Sequence, residues 1–430
     1  MSHVALNINI EEVLEAGPIK SSSTVSKLGW AGILIGFCGF FGAMFSGYPL
    51  ELLWGAYFTN VVFWMGLAAG GVIVCVAVQI VRAAWSPPIR RIAEANVAFL
   101  PWAWLALLGT WWGREYLFYW GKHPMPGREG WMQPWFVYLR FGALFLFLFF
   151  MMWRYVSMSL RSDIGMLRER NSSRSRWSSW IHQYLAREWK GSDAEVLNLQ
   201  RRLSWNAPLL LLIYVVVFSL FSFEMVMGMD PVWYSNLFGA FEFCGNLYIA
   251  WAMTAVLTIY FVNRSPEYAR TVSTQQLWDL GKLTFGFCML WGYMFFSQFL
   301  PQWYGNLPEE TQWLILRTRE FPWKGLGWIT FAMCFIVPFI VLLSEDVKRA
   351  PKALRLICIV ILLGVWLERY MVIMPELSPG RIPLRLNEIL VEISIYLGFL
   401  GAYLLSIQSF ITKFPFVPVS HPMTRGSKSW

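Results

Sequence analysis

The chain alternates long apolar runs with short polar intervals. An apolar run of about 20 residues crosses the hydrocarbon core as a helix. Ten stretches reach that length: roughly 28–46, 57–81, 97–113, 135–158, 206–225, 237–262, 278–303, 325–343, 354–373 and 389–411. The pattern predicts an all-α, polytopic membrane protein of ten transmembrane helices. Only the interval after helix four is long, at about residues 161–205. It opens on a basic, Ser-rich stretch through Arg174 and Arg176. Trp177, Trp180, Ile181, Tyr184, Leu185 and Trp189 then recur at three- and four-residue spacing, which makes one apolar helix face. Such a Trp-rich face beside Arg and Lys suits the cytoplasmic lipid surface or a partner subunit.

Within the ten runs a faint repeat is visible. Trp54-Gly55-Ala56-Tyr57 precedes helix two and Phe238-Gly239-Ala240-Phe241 opens helix six. Tyr119-Trp120-Gly121-Lys122-His123-Pro124 follows helix three and Trp303-Tyr304-Gly305-Asn306-Leu307-Pro308 follows helix seven. Both glycine pairs lie 184 residues apart. Pro134-Trp135 and Pro322-Trp323 precede helices four and eight at an offset of 188, and Arg82 and Arg264 close helices two and six at 182. Four helices return the chain to its starting side, so the copies are expected to be parallel, related by an axis along the membrane normal. The predicted organisation is a tail (1–27), helix one (28–48), a four-helix bundle of helices two to five (49–230), a second of helices six to nine (231–376), and helix ten with a tail (377–430). Helices one and ten flank the two parallel-repeat bundles.

Charge sets the orientation. Of 35 Lys and Arg, 24 fall in the termini and the loops after helices two, four, six and eight; 9 fall in the opposite loops, and Arg140 and Arg154 lie within helix four. Positive-inside bias then places both termini in the cytoplasm, and the net charge of +9 needs no nucleic acid to explain it. Residues 1–26 contain Glu11, Glu12 and Glu15 and lack the basic-then-apolar order of a secretory leader. They read as a cytoplasmic tail. Composition agrees with the runs: 57% hydrophobic, 14% charged and 26 Trp, the last a common signature of interfacial anchoring.

Candidate chemistry is sparse. Cys38, Cys75, Cys244, Cys288, Cys334 and Cys358 each stand alone inside an apolar run, with no pair spaced for zinc, an iron–sulfur cluster or covalent haem. His3, His123, His182 and His421 fall outside the membrane core, where axial haem ligands would be needed. No haem or metal bound by this chain is therefore expected. Ionisable groups at membrane depth cost about 2.5–3.5 kcal/mol at a helix centre and suggest function. They gather toward the outer side: Glu224, Asp230, Glu242, Arg140, Glu368, Arg369, Glu388 and Glu392, with Gln298 and Gln302. Interfacial anchoring or pairing is the competing reading for each, and Asp230-Pro231 is a turn initiator in its own right. The inner half is expected to hold no ionisable group beyond Arg154.

Three runs carry a resemblance. Phe296-Ser297-Gln298-Phe299-Leu300 with Trp303-Tyr304-Gly305-Asn306-Leu307-Pro308-Glu309-Glu310, then Met229-Asp230-Pro231-Val232-Trp233-Tyr234-Ser235, and Arg90-Arg91-Ile92-Ala93-Glu94 are similar to the F-type membrane subunit of bacterial alternative complex III. That complex is a quinol:electron-acceptor oxidoreductase whose large membrane subunits are polysulfide-reductase-like (NrfD-like). The resemblance implies a cofactor-free subunit of the bacterial inner membrane, with quinol or quinone as substrate. It also implies partners: a related ten-helix sister subunit, an extracytoplasmic iron–sulfur subunit and c-type haem subunits. Glu224 stands where the family commonly has an Asp, so the acid is kept but lengthened. Glu224 with Asp230 or His123 is the expected acid–base group for quinol protons, and Glu242, Arg140 and Glu392 are the expected proton-transfer residues. A structural anchor with a degenerate pocket and a stand-alone secondary transporter are the alternatives.

Overall fold

The computed structural model describes residues 17–123, 127–170 and 179–424. Ten helices are long and apolar enough to cross a membrane: α1 (Ser23–Phe45), α2 (Leu50–Ile80), α3 (Pro87–Leu117), α4 (Pro134–Glu169), α5 (Ala194–Met229), α6 (Phe238–Val262), α7 (Thr274–Gly305), α8 (Trp323–Leu343), α9 (Pro351–Leu377) and α10 (Leu386–Ile411). Every element among the described residues is helical. The chain is an all-α, multi-pass membrane protein. The residues of the first tail up to 16, with His3 and the three glutamates, lie outside the described residues. So do Pro124 and the basic stretch with Arg174, Arg176 and Trp177.

The neighbours of each helix arrange the chain around α2 and α6. Contacts run α2–α3–α4–α5 and back to α2, then α6–α7–α8–α9 and back to α6. Between the two rings α2 meets α6, and α2 meets α9 as α6 meets α5. The two glycines matched in sequence sit at these crossings. Gly55 on α2 lies against Leu377 and Met374 of α9, and Gly239 on α6 lies against Ser219 and Phe223 of α5. The apolar window of α2 is 94% buried and that of α1 only 22%, which puts α2 at the centre and α1 at the rim. Glycines let α1 lie on α10: a Cβ on Gly32 would come 2.6 Å from Leu397 O, and one on Gly36 2.6 Å from Gly398 Cα. Small residues serve this close backbone approach in membranes.

Prolines inside these helices leave carbonyls without a helical donor, and neighbouring side chains fill them, as hydrocarbon surroundings require. Pro338 in α8 orphans Cys334 O, which accepts the Tyr248 hydroxyl at 3.1 Å across a π turn at Ala332–Ile336. Pro375 in α9 orphans Met371 O, which accepts Arg317 Nε at 2.8 Å. Arg317 sits on Pro308–Thr318, a short helix between α7 and α8.

Most helices outrun their predicted stretches, and at α3 and α4 this changes the end of the protein nearest the described end of the chain. The third span begins at Pro87 rather than near 97, and α4 runs past 158. Arg90, Arg91 and Glu94 thereby enter the protein with Asp163, all at most 1% exposed. A buried ionic cluster thus stands where the sequence reading found no ionisable group well inside the membrane but Arg154. Arg90 bonds Glu94 at 3.0 Å and Gln79 at 2.6 Å, and Arg91 pairs with both Glu94 and Asp163. Two cations meet two anions, so the cluster is neutral. It also clasps the chain after α10. Arg91 Nε donates to Pro415 O at 3.0 Å, and Asp163 accepts from the Ser420 N–H at 2.8 Å and hydroxyl at 2.6 Å. His182 Nε2 donates to Lys413 O at 2.7 Å. Phe414, Phe416, Val417 and Val419 of this strap are buried. The amphipathic segment of the long loop is helical only over Trp180–Leu185 among its described residues.

Candidate functional site

The candidate acids divide by whether a cation matches each one. Glu224 lies in a π turn at the end of α5, Ser222–Val226. Its carboxylate pairs with Arg140 of α4 and accepts the Trp131 indole N–H at 2.9 Å. Arg140 also lies 4.1 Å over the Trp131 ring. This is one anion against one cation, closed by an aromatic lid. Asp230 Oδ1 accepts the N–H groups of Val232 and Trp233 at 2.8 and 3.2 Å, so it shapes the turn that starts the second bundle. His123 is exposed, with its ring against Tyr119. Glu224, Asp230 and His123 thus each have partners of their own: Arg140 and Trp131, two backbone N–H groups, and the Tyr119 ring.

A different set converges in the second bundle. Arg369 of α9 is fully buried, and its Nη1 lies 2.5 Å from Glu242 of α6 and 2.7 Å from Glu368 beside it. Nη2 donates to Glu242 O at 3.2 Å and Asn246 Oδ1 at 3.3 Å. Gly245 makes the approach possible, because a Cβ there would meet Arg369 Nη2 at 2.7 Å. Glu368 Oε1, Asn246 Nδ2 and Arg369 Nε are buried without a hydrogen-bond partner. Two carboxyls share one guanidinium, and polar capacity is left over. Such leftover capacity in a buried cluster is costly unless a proton or water fills it.

Glu368 opens onto a cavity of about 100 Å³ walled by Phe241, Trp291, Phe295 and Phe331. That volume has room for several waters. Its lining also includes Gln298, Gln302, Arg317, Thr318 and Thr330. Its roof is the Trp233–Trp313 stack, with centroids 4.0 Å apart. Arg317 lies 3.7 Å over Trp313, reaches the α9 carbonyls and pairs with Glu376 at 2.7 Å. Arg317 sits on the short helix preceding α8; what marks it in the sequence is the helix-interior Pro375, which leaves an orphaned carbonyl in need of a donor.

Glu392 stands apart on α10. It accepts the Tyr370 hydroxyl at 2.8 Å, one residue along α9 from Arg369. Its neighbour Glu388 is paired with Arg381 at 2.7 Å. Among the described residues no three His, Cys, Asp or Glu side chains are grouped to hold a metal, and the six cysteines are unbridged. No family model matches the chain, and no curated protein matches it significantly.

Proposed function

We propose that this chain is the F-type-like membrane subunit of a respiratory quinol:electron-acceptor (cytochrome c) oxidoreductase, and that its own contribution is proton transfer at Glu242–Arg369–Glu368. The observation that carries the reading is charge balance. The buried clusters at Arg90–Arg91–Glu94–Asp163 and Arg140–Glu224 are neutral as ion pairs. The Glu242–Arg369–Glu368 triad would be one negative charge in excess. An unmatched charge held away from water is expensive, so the triad carries one proton at rest. Each acid keeps an oxygen without a hydrogen bond, and Glu368 is taken as the carrier because it, and not Glu242, lines the hydratable cavity.

A quinol gives up two protons with its two electrons, and a proton-holding carboxyl near the outer surface can receive and release them while a partner's cluster takes the electrons. The partners are a related ten-helix sister subunit, an extracytoplasmic iron–sulfur subunit and c-type haem subunits. The chain itself holds no cofactor in this reading. It lies in the bacterial inner membrane with both termini in the cytoplasm, the side carrying 24 of its 35 Lys and Arg. Affinity purification of the tagged chain should recover iron–sulfur and c-haem proteins, and Glu368→Gln in that complex should suppress proton release on quinol oxidation. Recovery of the chain alone would favour the stand-alone transporter. Full proton release in the variant would leave the structural anchor.

A further inference from the structure

Two cavities on the opposite flank from the triad share walls. The first is an apolar groove of about 1030 Å³ between α1, α3 and α10. The second, about 460 Å³, lies between α3, α4, the end of α10 and the short helix Trp180–Leu185. Ala98 and Ser409 line both. From Trp30 to Met44 on α1 the groove runs past fifteen residues, about 21 Å over the rises between them at about 1.5 Å each. That exceeds the roughly 15 Å of one leaflet's hydrocarbon.

The groove's tyrosine and one of its serine hydroxyls are already committed. Tyr57 Oη–H is bonded to Ala106 O at 3.0 Å, and Ser406 Oγ–H to Ala402 O at 2.8 Å. A partner's helix fits poorly, because helices approach closely over small residues. Here the glycines of α1 and α10 are used against one another, and the open wall is Trp30, Phe37, Trp102 and Trp112, all more than half exposed. Flexible hydrocarbon chains fit such a wall. The second cavity supplies the mouth. Lys413 is exposed there, with Nζ 3.1 Å from Ser409 Oγ, and Trp180 and Tyr184 of the interfacial helix stand beside it, 78% and 58% exposed. Arg154 of α4, adjoining the wall residue Trp153, is exposed. Cation, hydroxyl and amphipathic aromatics at one level match an anionic headgroup at the interface.

We infer that the paired cavities form a binding site for an anionic phospholipid of the leaflet at the termini's end. Its phosphate lies at Lys413 and its acyl chains lie in the groove along α3 and α10. The site does not depend on the proton reading of the triad. It makes α1 and α10 a lipid-cemented flank rather than a loose pair of rim helices.

The test is native mass spectrometry of the purified full-length chain, delipidated and then titrated with phosphatidylglycerol or phosphatidylcholine of identical chains. Phosphatidylglycerol should be retained at about one per chain and preferred over phosphatidylcholine. Lys413→Gln should reduce that preference about fivefold, as one interfacial lysine would. Filling the groove with Ala402→Phe should release both lipids irrespective of headgroup. An unchanged preference in Lys413→Gln overturns the headgroup assignment. Undiminished retention of both lipids in Ala402→Phe, with wild-type thermal unfolding, overturns the groove.

Discussion

If the triad stores one proton on Glu368, its two acids must respond differently to the same substitution. Glu368→Gln replaces a protonated carboxyl by a neutral group of equal size, and Arg369 keeps Glu242 at 2.5 Å as its counter-ion. The expected change in stability is within about 1 kcal/mol, the net scale of the one hydrogen bond from Arg369 that the amide oxygen can still accept. Glu242→Gln removes the ionised partner and leaves a guanidinium that is fully buried. The remaining glutamate must then give up its proton to match the charge. Removing one partner of a buried pair costs about 3–5 kcal/mol, and recruiting Glu368 recovers part of it. The double variant strands Arg369 entirely and should be the least stable of the three. Thermal unfolding of the purified chain in one detergent gives the ranking, and dye-detected proton release from the complex gives the function. Both single variants should lose coupled proton release, while only Glu242→Gln should unfold markedly earlier. Equal destabilisation by the two single variants would refute the stored proton, since it would mean that both carboxylates are ionised.

Three further outcomes are expected. Arg317→Met should cost about 1–3 kcal/mol by leaving Met371 O and Glu376 unsatisfied; adding Pro375→Ala should restore part, because alanine at that position supplies the missing helical N–H, and hydrogen exchange over 308–318 reports both. Glu224→Gln should destabilise the α4–α5 contact by stranding Arg140 while proton release stays near wild type; retained stability with lost proton release would return the acid–base role to Glu224. Burial lowers the pKa of His182 below its usual value, with Arg168 adding to the shift, and burial with Arg90 nearby lowers that of His421 well below. Both histidines thus fold neutral: their contribution is complete above about pH 6.5, the unfolded value, and is lost as pH falls through the folded values. Protection factors in the strap around 414–421, with the intrinsic pH dependence of amide exchange divided out, should therefore fall at pH 5 relative to pH 7.5, while those of other segments stay unchanged.

The ten spans were legible because hydrocarbon imposes a local rule, length and apolarity of one continuous segment, that needs no knowledge of its neighbours. For the same reason Glu242, Glu368, Arg369 and Glu392 stood out one by one as costly residues. Which acids share a cation was not legible. Glu242 and Arg369 are 127 residues apart in sequence, and only the α6–α9 packing and the missing side chain of Gly245 bring them together. The same holds for Glu224: its place in the sequence suggested chemistry, and Arg140 from another helix neutralises it. Arg90 and Glu94 did carry a local sign, an i,i+4 pair of opposite charge, but that spacing is equally at home on a solvated face. Their burial came from α3 beginning ten residues early and from a strap after α10 that no periodicity announces. Sequence by itself determined the solvent, the number of crossings and the sites of electrostatic cost, since each depends on one segment at a time. Tertiary structure decided which costs are cancelled and which are left unmatched, since charge balance is a property of contacts between segments.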